Sequence, residues 1–192
     1  VHNMISSYIF REYDIRGLAD KDLTDESSYL IGKAFGSYIL SHGGKDVTVG
    51  RDVRISGPRI TASVIRGIRS TGCSVTYLGV TATPVFYYSI GRLHAHGGLM
   101  VTASHNPPEY NGFKMCKGID AIYGDEIQSL HASIIADELT DGEEGGYSEH
   151  DVFPDYMADL LNGVKVPKGI KAVIDCGNGS AGLYAREIFK AA

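Results

Sequence analysis

Apolar positions along the chain follow two different periods. Across 25–41 they fall at Leu30, Ile31, Ala34, Phe35, Tyr38 and Ile39, close to a 3.6-residue repeat, which predicts a helix with one buried stripe. Thr24 offers an N-cap and His42-Gly43-Gly44 a stop. A second helix is predicted over 57–71, with Pro58 in its first turn and Ile60, Val64, Ile65 and Ile68 on one face. Two more are predicted over 84–93 and 125–139, the latter turning Ile127, Leu130, Ile134 and Ile135 inward. Short apolar runs at 5–10, 46–50, 73–78 and 98–102 read as strands. Strand-helix-strand units in succession predict an α/β fold, with a mixed, largely parallel sheet flanked by helices.

The pattern changes after the fourth strand. A polar turn spans 104–112, followed by a hairpin through 113–115 and 121–123. This first domain is read as residues 4–139, and the acidic, Gly-bearing stretch 140–149 as a linker. Beyond it come a helix at 152–161, a strand at 171–175, a Gly-rich turn and a helix from Leu183. A single strand-helix unit, even with the preceding helix, cannot make a stable domain, so 150–192 is read as the truncated start of a second α/β domain. The chain is accordingly expected to be an N-terminal fragment. Val1-His2-Asn3 ahead of Met4 reads as a remnant outside the fold.

Composition narrows the class. Of 192 residues, 43% are apolar and 21% charged, which excludes disordered and collagen-like chains. Glycine is in excess at 24 residues and predicts tight turns and close backbone approaches. The net charge of −5 argues against a nucleic-acid partner. Five arginines (51, 54, 59, 66 and 69) stand close together against the single acid Asp52. Such a basic region suits a small anionic substrate, and equally a solvated helix face. No segment is long and apolar enough for a signal peptide or a membrane span. Cys73, Cys116 and Cys176 form neither a CxxC pair nor an even set, so buried free thiols and a reducing, cytoplasmic setting are expected.

Three groups of residues are candidates for chemistry. Thr102-Ala103-Ser104-His105-Asn106-Pro107-Pro108-Glu109-Tyr110-Asn111-Gly112-Phe113-Lys114 follows a predicted parallel strand, where ligands bind in open α/β sheets. Ser104 is a potential nucleophile with His105 beside it, and Asn111-Gly112 permits a reversal that would return Lys114 toward it. Gly177, Gly179 and Gly182 form a GxGxxG between a predicted strand and helix, which fits either a dinucleotide turn or simple close packing. For metals, His94 and His96 lack supporting ligands. Asp20, Asp22 and Asp25 miss the glycine and glutamate that a calcium loop requires.

The Ser104 stretch and Phe10-Arg11-Glu12-Tyr13-Asp14-Ile15-Arg16-Gly17 together resemble the α-D-phosphohexomutases. Gly50-Arg51-Asp52 and the run from Val173 to Gly182 fit the same family. Pro108-Glu109-Tyr110-Asn111-Gly112-Phe113-Lys114 is most similar to the phosphomannomutase/phosphoglucomutase branch. The resemblance implies a four-domain enzyme that interconverts hexose 1-phosphate and hexose 6-phosphate through a phosphoserine and a 1,6-bisphosphate. It assigns Ser104 as phosphocarrier, with a phosphoserine oxygen on Mg²⁺, and places Arg16, Lys114 and His105 around the transferring group. Lys114 is the expected general base, and Tyr13 the residue near the sugar phosphate. Hexose phosphates are the implied partners and hexose 1,6-bisphosphate the implied activator; the oligomeric state is left open. By the same comparison the GxGxxG is a structural turn.

The family's three metal-binding aspartates belong to a later Gly-rich loop, and no such run stands here. The fragment alone is therefore expected to be inactive. A non-catalytic sugar-phosphate-binding module and an NAD-dependent dehydrogenase are the alternatives. The sequence does not separate mannose from glucose.

Overall fold

A computed structural model describes residues 5–164, 166–167 and 169–192. Val1–Met4, and with them the expected remnant and the expected domain start, lie outside the described residues.

The elements in chain order are β1 (Ile15–Leu18), α1 (Asp25–Ser41), β2 (Asp46–Arg51), α2 (Gly57–Arg69), β3 (Ser74–Val80), α3 (Thr83–Arg92) and β4 (Gly97–Val101). They continue with β5 (Tyr110–Lys117), β6 (Asp120–Ala121), α4 (Asp125–Ala136), β7 (Tyr147–Glu149), α5 (Phe153–Gly163) and α6 (Ala185–Ala191). One sheet holds the strands in the order β1-β5-β4-β2-β3-β7, with β6 on β5. Its β4-β2-β3-β7 half is parallel, and β1, β5 and β6 are joined by antiparallel ladders. The fold is thus α/β with a mixed sheet. Because β2 leads to β3 on one side while β3 crosses back to β4 on the other, the strand order reverses beside β2.

Period-2 alternation in the strands feeds two cores. Val47, Val49, Val75, Leu99, Val101 and Met115 pack on the face covered by α1, α2 and α4. Leu78, Met100 and Cys116 turn to the opposite face with α3 and the start of α5. The Thr24 side chain accepts the Ser27 N–H at 3.2 Å, and Asp25 and Glu26 sit in the first turn of α1, where the helix dipole favours acids. Ile60, Val64, Ile65 and Ile68 are all buried in α2.

Helices α1 and α2 approach so closely that glycine is required at the contact. A Cβ on Gly67 would lie 2.0 Å from the Tyr29 carbonyl oxygen, and one on Gly32 would lie 2.3 Å from that of Val64. Both obstacles are backbone and cannot rotate away. Gly67→Ala should therefore destabilise the protein by about 1–3 kcal/mol through overpacking, more than the roughly 0.5–1 kcal/mol alanine gains in helix propensity. Thermal melting checks this, and a Tm at or above that of the parent would mean the helices have room to part.

Several boundaries differ from the sequence expectation. Residues 5–10 form a 3₁₀ turn over Ser7–Ile9 rather than a strand, burying Ile5, Ile9 and Phe10. The first strand lies further on, at Ile15–Leu18. Asn111-Gly112 is no reversal but part of β5, with Arg16 opposite Gly112 and Gly17 opposite Asn111 in the β1 ladder. Helix α4 ends at Ala136, with Asp137 left-handed at its C-cap, and Ile135 is exposed rather than inward.

The stretch 140–149 is pinned to the sheet. Gly142 and Gly145 donate backbone N–H groups to the Ser70 and Arg69 carbonyls, and β7 pairs with the edge of β3. Val152, Phe153 and Met157 then join the second core. No strand forms over 171–175, where Val173 and Ile174 are exposed. A strand needs partners to satisfy its backbone, and the described residues offer this segment none. Cys73 and Cys116 are buried free thiols, whereas Cys176 is only half-buried, against the expectation that all three lie inside. Desolvation pushes the Cys116 thiol up to about 11, so it stays protonated and inert at neutral pH.

Candidate functional site

The strands whose order reverses deliver their loops to one end of the sheet, the position where open α/β sheets bind ligands. Loops after β2 (Asp52–Ser56), β3 (Thr81–Ala82) and β4 (Thr102–Glu109) meet there. A cleft of about 630 Å³ opens between them, lined by Asp52, Arg54, Thr102, Ser104, His105 and Asn106 among others. Gly177–Ala181 forms its opposite wall.

Ser104 sits exposed at the tip of the β4 loop with φ +56°. A left-handed backbone costs a non-glycine residue roughly 1–2 kcal/mol, so something must hold it. Both backbone groups of Ser104 are tied. Its N–H donates to the Thr102 hydroxyl oxygen at 3.0 Å, and that hydroxyl donates to the Asp52 carboxylate at 2.7 Å. Its carbonyl accepts from Arg54 Nη2 at 3.1 Å. The Ser104 hydroxyl lies 3.2 Å from His105 Nδ1, with the histidine tautomer deciding which atom donates.

Arg16 comes from the neighbouring β1. Its side chain is buried, donating to the Asn106 amide oxygen in the Ser104 loop and to the Asp14 carboxylate. Among the described residues its Nε has no hydrogen-bond partner. Lys114 stands on β5 opposite Met100 of β4, and its Nζ is 3.7 Å from the same Asp14 oxygen. Two cations thus share one carboxylate and leave an excess positive charge behind the loop. The 102–109 loop turns the chain back so that β5 runs antiparallel beside β4, and Lys114 lines the depression that holds Tyr13 rather than the Ser104 cleft.

Tyr13 is placed differently. It is 72% exposed and lines a separate depression of about 230 Å³ with Lys114, Tyr87 and Tyr123, rather than the cleft at Ser104. Of the five clustered arginines, Arg54 lines the cleft, and the other four are engaged elsewhere in the fold. Arg51 bonds the Tyr77 hydroxyl, Arg59 the Ala19 and Leu23 carbonyls, and Arg69 the Gly145 carbonyl, while Arg66 lies over the Tyr29 ring. The sequence marks Arg54 only as a member of that cluster, yet it bonds four carbonyls of the Ser104 loop and the start of β5. Its position two residues after Asp52, past the end of a central strand, was the one available signal.

Gly177 and Asn178 are both left-handed, and the turn leads into a 3₁₀ helix over Ser180–Leu183 and the seven-residue α6. The strand that a dinucleotide fingerprint requires before its glycines is missing among the described residues. The Tyr184 hydroxyl bonds the Val80 carbonyl at 3.2 Å, and its ring stacks on Phe153, holding this wall to β3.

A family model described as phosphoglucomutase/phosphomannomutase, alpha/beta/alpha domain I, matches residues 7–141. The chain belongs to the phosphoglucomutase/phosphomannomutase family. It is 41% identical over 183 residues to a phosphomannomutase/phosphoglucomutase of Pseudomonas aeruginosa, covering 95% of this chain and 39% of that protein. It is 38% identical over 187 residues to a phosphoglucomutase of Neisseria meningitidis, covering 97% and 41% respectively. A solved structure of a phosphoglucomutase/phosphomannomutase family protein from Burkholderia thailandensis superposes with a TM-score of 0.93 at 39% identity, covering 98% of this chain and 43% of that one. The chain therefore spans about two fifths of the length of these relatives.

Among the described residues no three His, Cys, Asp or Glu side chains gather as metal ligands. Two carboxylates of the surroundings are already engaged, Asp52 by Arg54 and Thr102, and Asp14 by Arg16 and Lys114. These residues do not by themselves fit a Mg²⁺ cage. No helix of the described residues is long and apolar enough to cross a membrane.

Proposed function

We propose that the protein containing this chain is a phosphomannomutase/phosphoglucomutase that carries its phosphoryl group on Ser104. The observation supporting this reading is an exposed serine, held left-handed on a braced loop, with Arg16 and Lys114 behind it and a single shared carboxylate. Phosphoryl transfer depends mainly on positioning and charge stabilisation, so such a serine needs no triad. A phosphoserine brings about −1.5 to −2 charge, which the excess cation offsets.

In the forward direction the 6-hydroxyl of a hexose 1-phosphate attacks the phosphorus of phospho-Ser104. The P–Oγ bond breaks, the hydroxyl proton passes to Lys114 Nζ, which must be in its neutral amine form to accept it, and a 1,6-bisphosphate forms. After reorientation Ser104 Oγ attacks the 1-phosphoryl group, the P–O1 bond breaks, Lys114 returns its proton to O1, and hexose 6-phosphate leaves. Arg16 steadies the transferring oxygens, His105 sits against the serine hydroxyl, and Tyr13 contacts the sugar phosphate from beside Lys114. Hexose 1,6-bisphosphate acts as activator by charging unphosphorylated Ser104.

Mg²⁺ is part of this proposal, with a phosphoserine oxygen as the one donor from this chain, and no step is assigned to it. The division at 139 and 150, small-molecule hexose phosphates as the partners, and a cytoplasmic location complete the reading; the free thiols support the last.

The test is conversion of mannose 1-phosphate and glucose 1-phosphate by the full-length protein, with Mg²⁺ and a trace of the bisphosphate. Both 6-phosphates should appear, at rates that name the preferred sugar, and EDTA should stop the reaction. A folded protein that converts neither sugar would sink the proposal.

A further inference from the structure

The contacts of Arg54 go beyond bracing a surface loop. All five guanidinium N–H donors have acceptors. Nε meets Asp52 Oδ2 at 3.2 Å, and Nη1 meets the carbonyls of Pro107 and Tyr110 at 2.7 and 3.0 Å. Nη2 meets those of Ser104 and Asn106 at 3.1 and 2.6 Å. Four carbonyls of one seven-residue stretch thus converge on a single planar group whose side chain is only 12% exposed. The backbone N–H of Arg54 also donates to Asp52 Oδ1 at 3.0 Å, so the same carboxylate orients the guanidinium and, through Thr102, holds the Ser104 N–H.

We infer that Arg54 is a positioning residue for phosphoryl transfer, fixing Ser104 and Asn106 so that the serine oxygen and Arg16 meet the same phosphoryl group. This rests on the reading of Ser104 as phosphocarrier. Arg54 grips Ser104 by its carbonyl while Asp52 and Thr102 grip it by its N–H, which locks the left-handed conformation from both sides. It grips Asn106 by the carbonyl while the Asn106 side chain accepts from Arg16. Serine and arginine, 88 residues apart in sequence, are thereby set in register by one residue of a third strand's loop. The grip also turns four carbonyl oxygens toward a cation.

Lysine keeps the charge but has three donors on a point, not five in a plane, and cannot hold four carbonyls. In the full-length protein Arg54→Lys should lower kcat by about 10²-fold, the scale expected for misplacing a reacting group by about 1 Å, while KM for the hexose 1-phosphate stays near the parent value. Transfer from hexose 1,6-bisphosphate to Ser104, followed by intact-mass measurement, should slow to the same degree. Thr102→Val, which cuts the other tie to Ser104 and leaves Arg54 in place, should reproduce the kcat loss.

Parent-like kcat and phosphorylation rate in Arg54→Lys would overturn the inference. So would a variant that no longer melts cooperatively, which would make Arg54 a structural staple. If the parent protein itself never takes phosphate on Ser104, the phosphocarrier reading fails rather than the clamp. Faster hydrogen exchange across 104–110 in Arg54→Lys would then still support the clamp, and unchanged exchange would overturn that too.

Discussion

Replacing Ser104 with alanine in the full-length protein is expected to abolish interconversion of hexose phosphates without lowering the Tm. The two effects separate because of where the side chain sits. Its hydroxyl is exposed and touches only the neighbouring His105, so removal should shift stability within about 0.5 kcal/mol. The ties that shape the loop run through the Ser104 backbone and survive the substitution. Ser104→Gly sharpens the test. Glycine adopts φ +56° without the Cβ penalty, so this variant should be about 1 kcal/mol more stable than the parent and equally inactive. Phosphate incorporation from hexose 1,6-bisphosphate, read by intact mass beside the melting curve, checks both halves. Residual turnover near the parent rate in either variant would reject the phosphocarrier assignment. A stabilised yet inactive glycine variant would mean that the strain at Ser104 is retained for its hydroxyl.

The helices were legible because each is a local statement. Thr24, the first-turn acids and the Leu30–Ile39 stripe specify α1 without reference to anything distant. Strands are not local. The run at 171–175 has the composition of a strand and no partner to make it one, while Tyr110–Gly112 looks like a turn and becomes strand because β1 and β4 lie on either side. Ile135 shows the same limit on a helix: the repeat admits it to the buried stripe, and only the position of the sheet decides which edge of that stripe is covered.

In the candidate site, Ser104, Arg16 and Lys114 could be proposed from the sequence because the chemistry proposed for them belongs to their side chains. Arg54 escaped because it binds backbone carbonyls, which every residue possesses and no motif records. The glycine-rich turn shows the opposite ambiguity, and the reading of it as a structural turn rests on the family resemblance rather than on its spacing. Its spacing matches a cofactor fingerprint, whereas its place in the fold is a wall of the Ser104 cleft.

The second large effect should come from Lys114, where charge and proton transfer can be told apart. Arg16 remains bonded to Asp14 when Lys114 is removed, so the buried carboxylate keeps a partner and the fold should tolerate the change. Lys114→Ala is expected to lower kcat by about 10²–10⁴-fold, the usual contribution of a positioned acid or base, with KM for the hexose 1-phosphate altered far less. Lys114→Arg preserves the positive charge beside Asp14, but a guanidinium does not give up its proton in proteins. If Lys114 accepts the proton of the attacking hydroxyl, the arginine variant should be as slow as the alanine one. Recovery of turnover in Lys114→Arg would make the contribution electrostatic and assign the proton elsewhere. The position of Lys114 between the Tyr13 depression and the Arg16–Asp14 pair makes the base role the stronger expectation, because its Nζ would border the space proposed for the sugar while Arg16 bonds the loop proposed to carry the phosphoryl group.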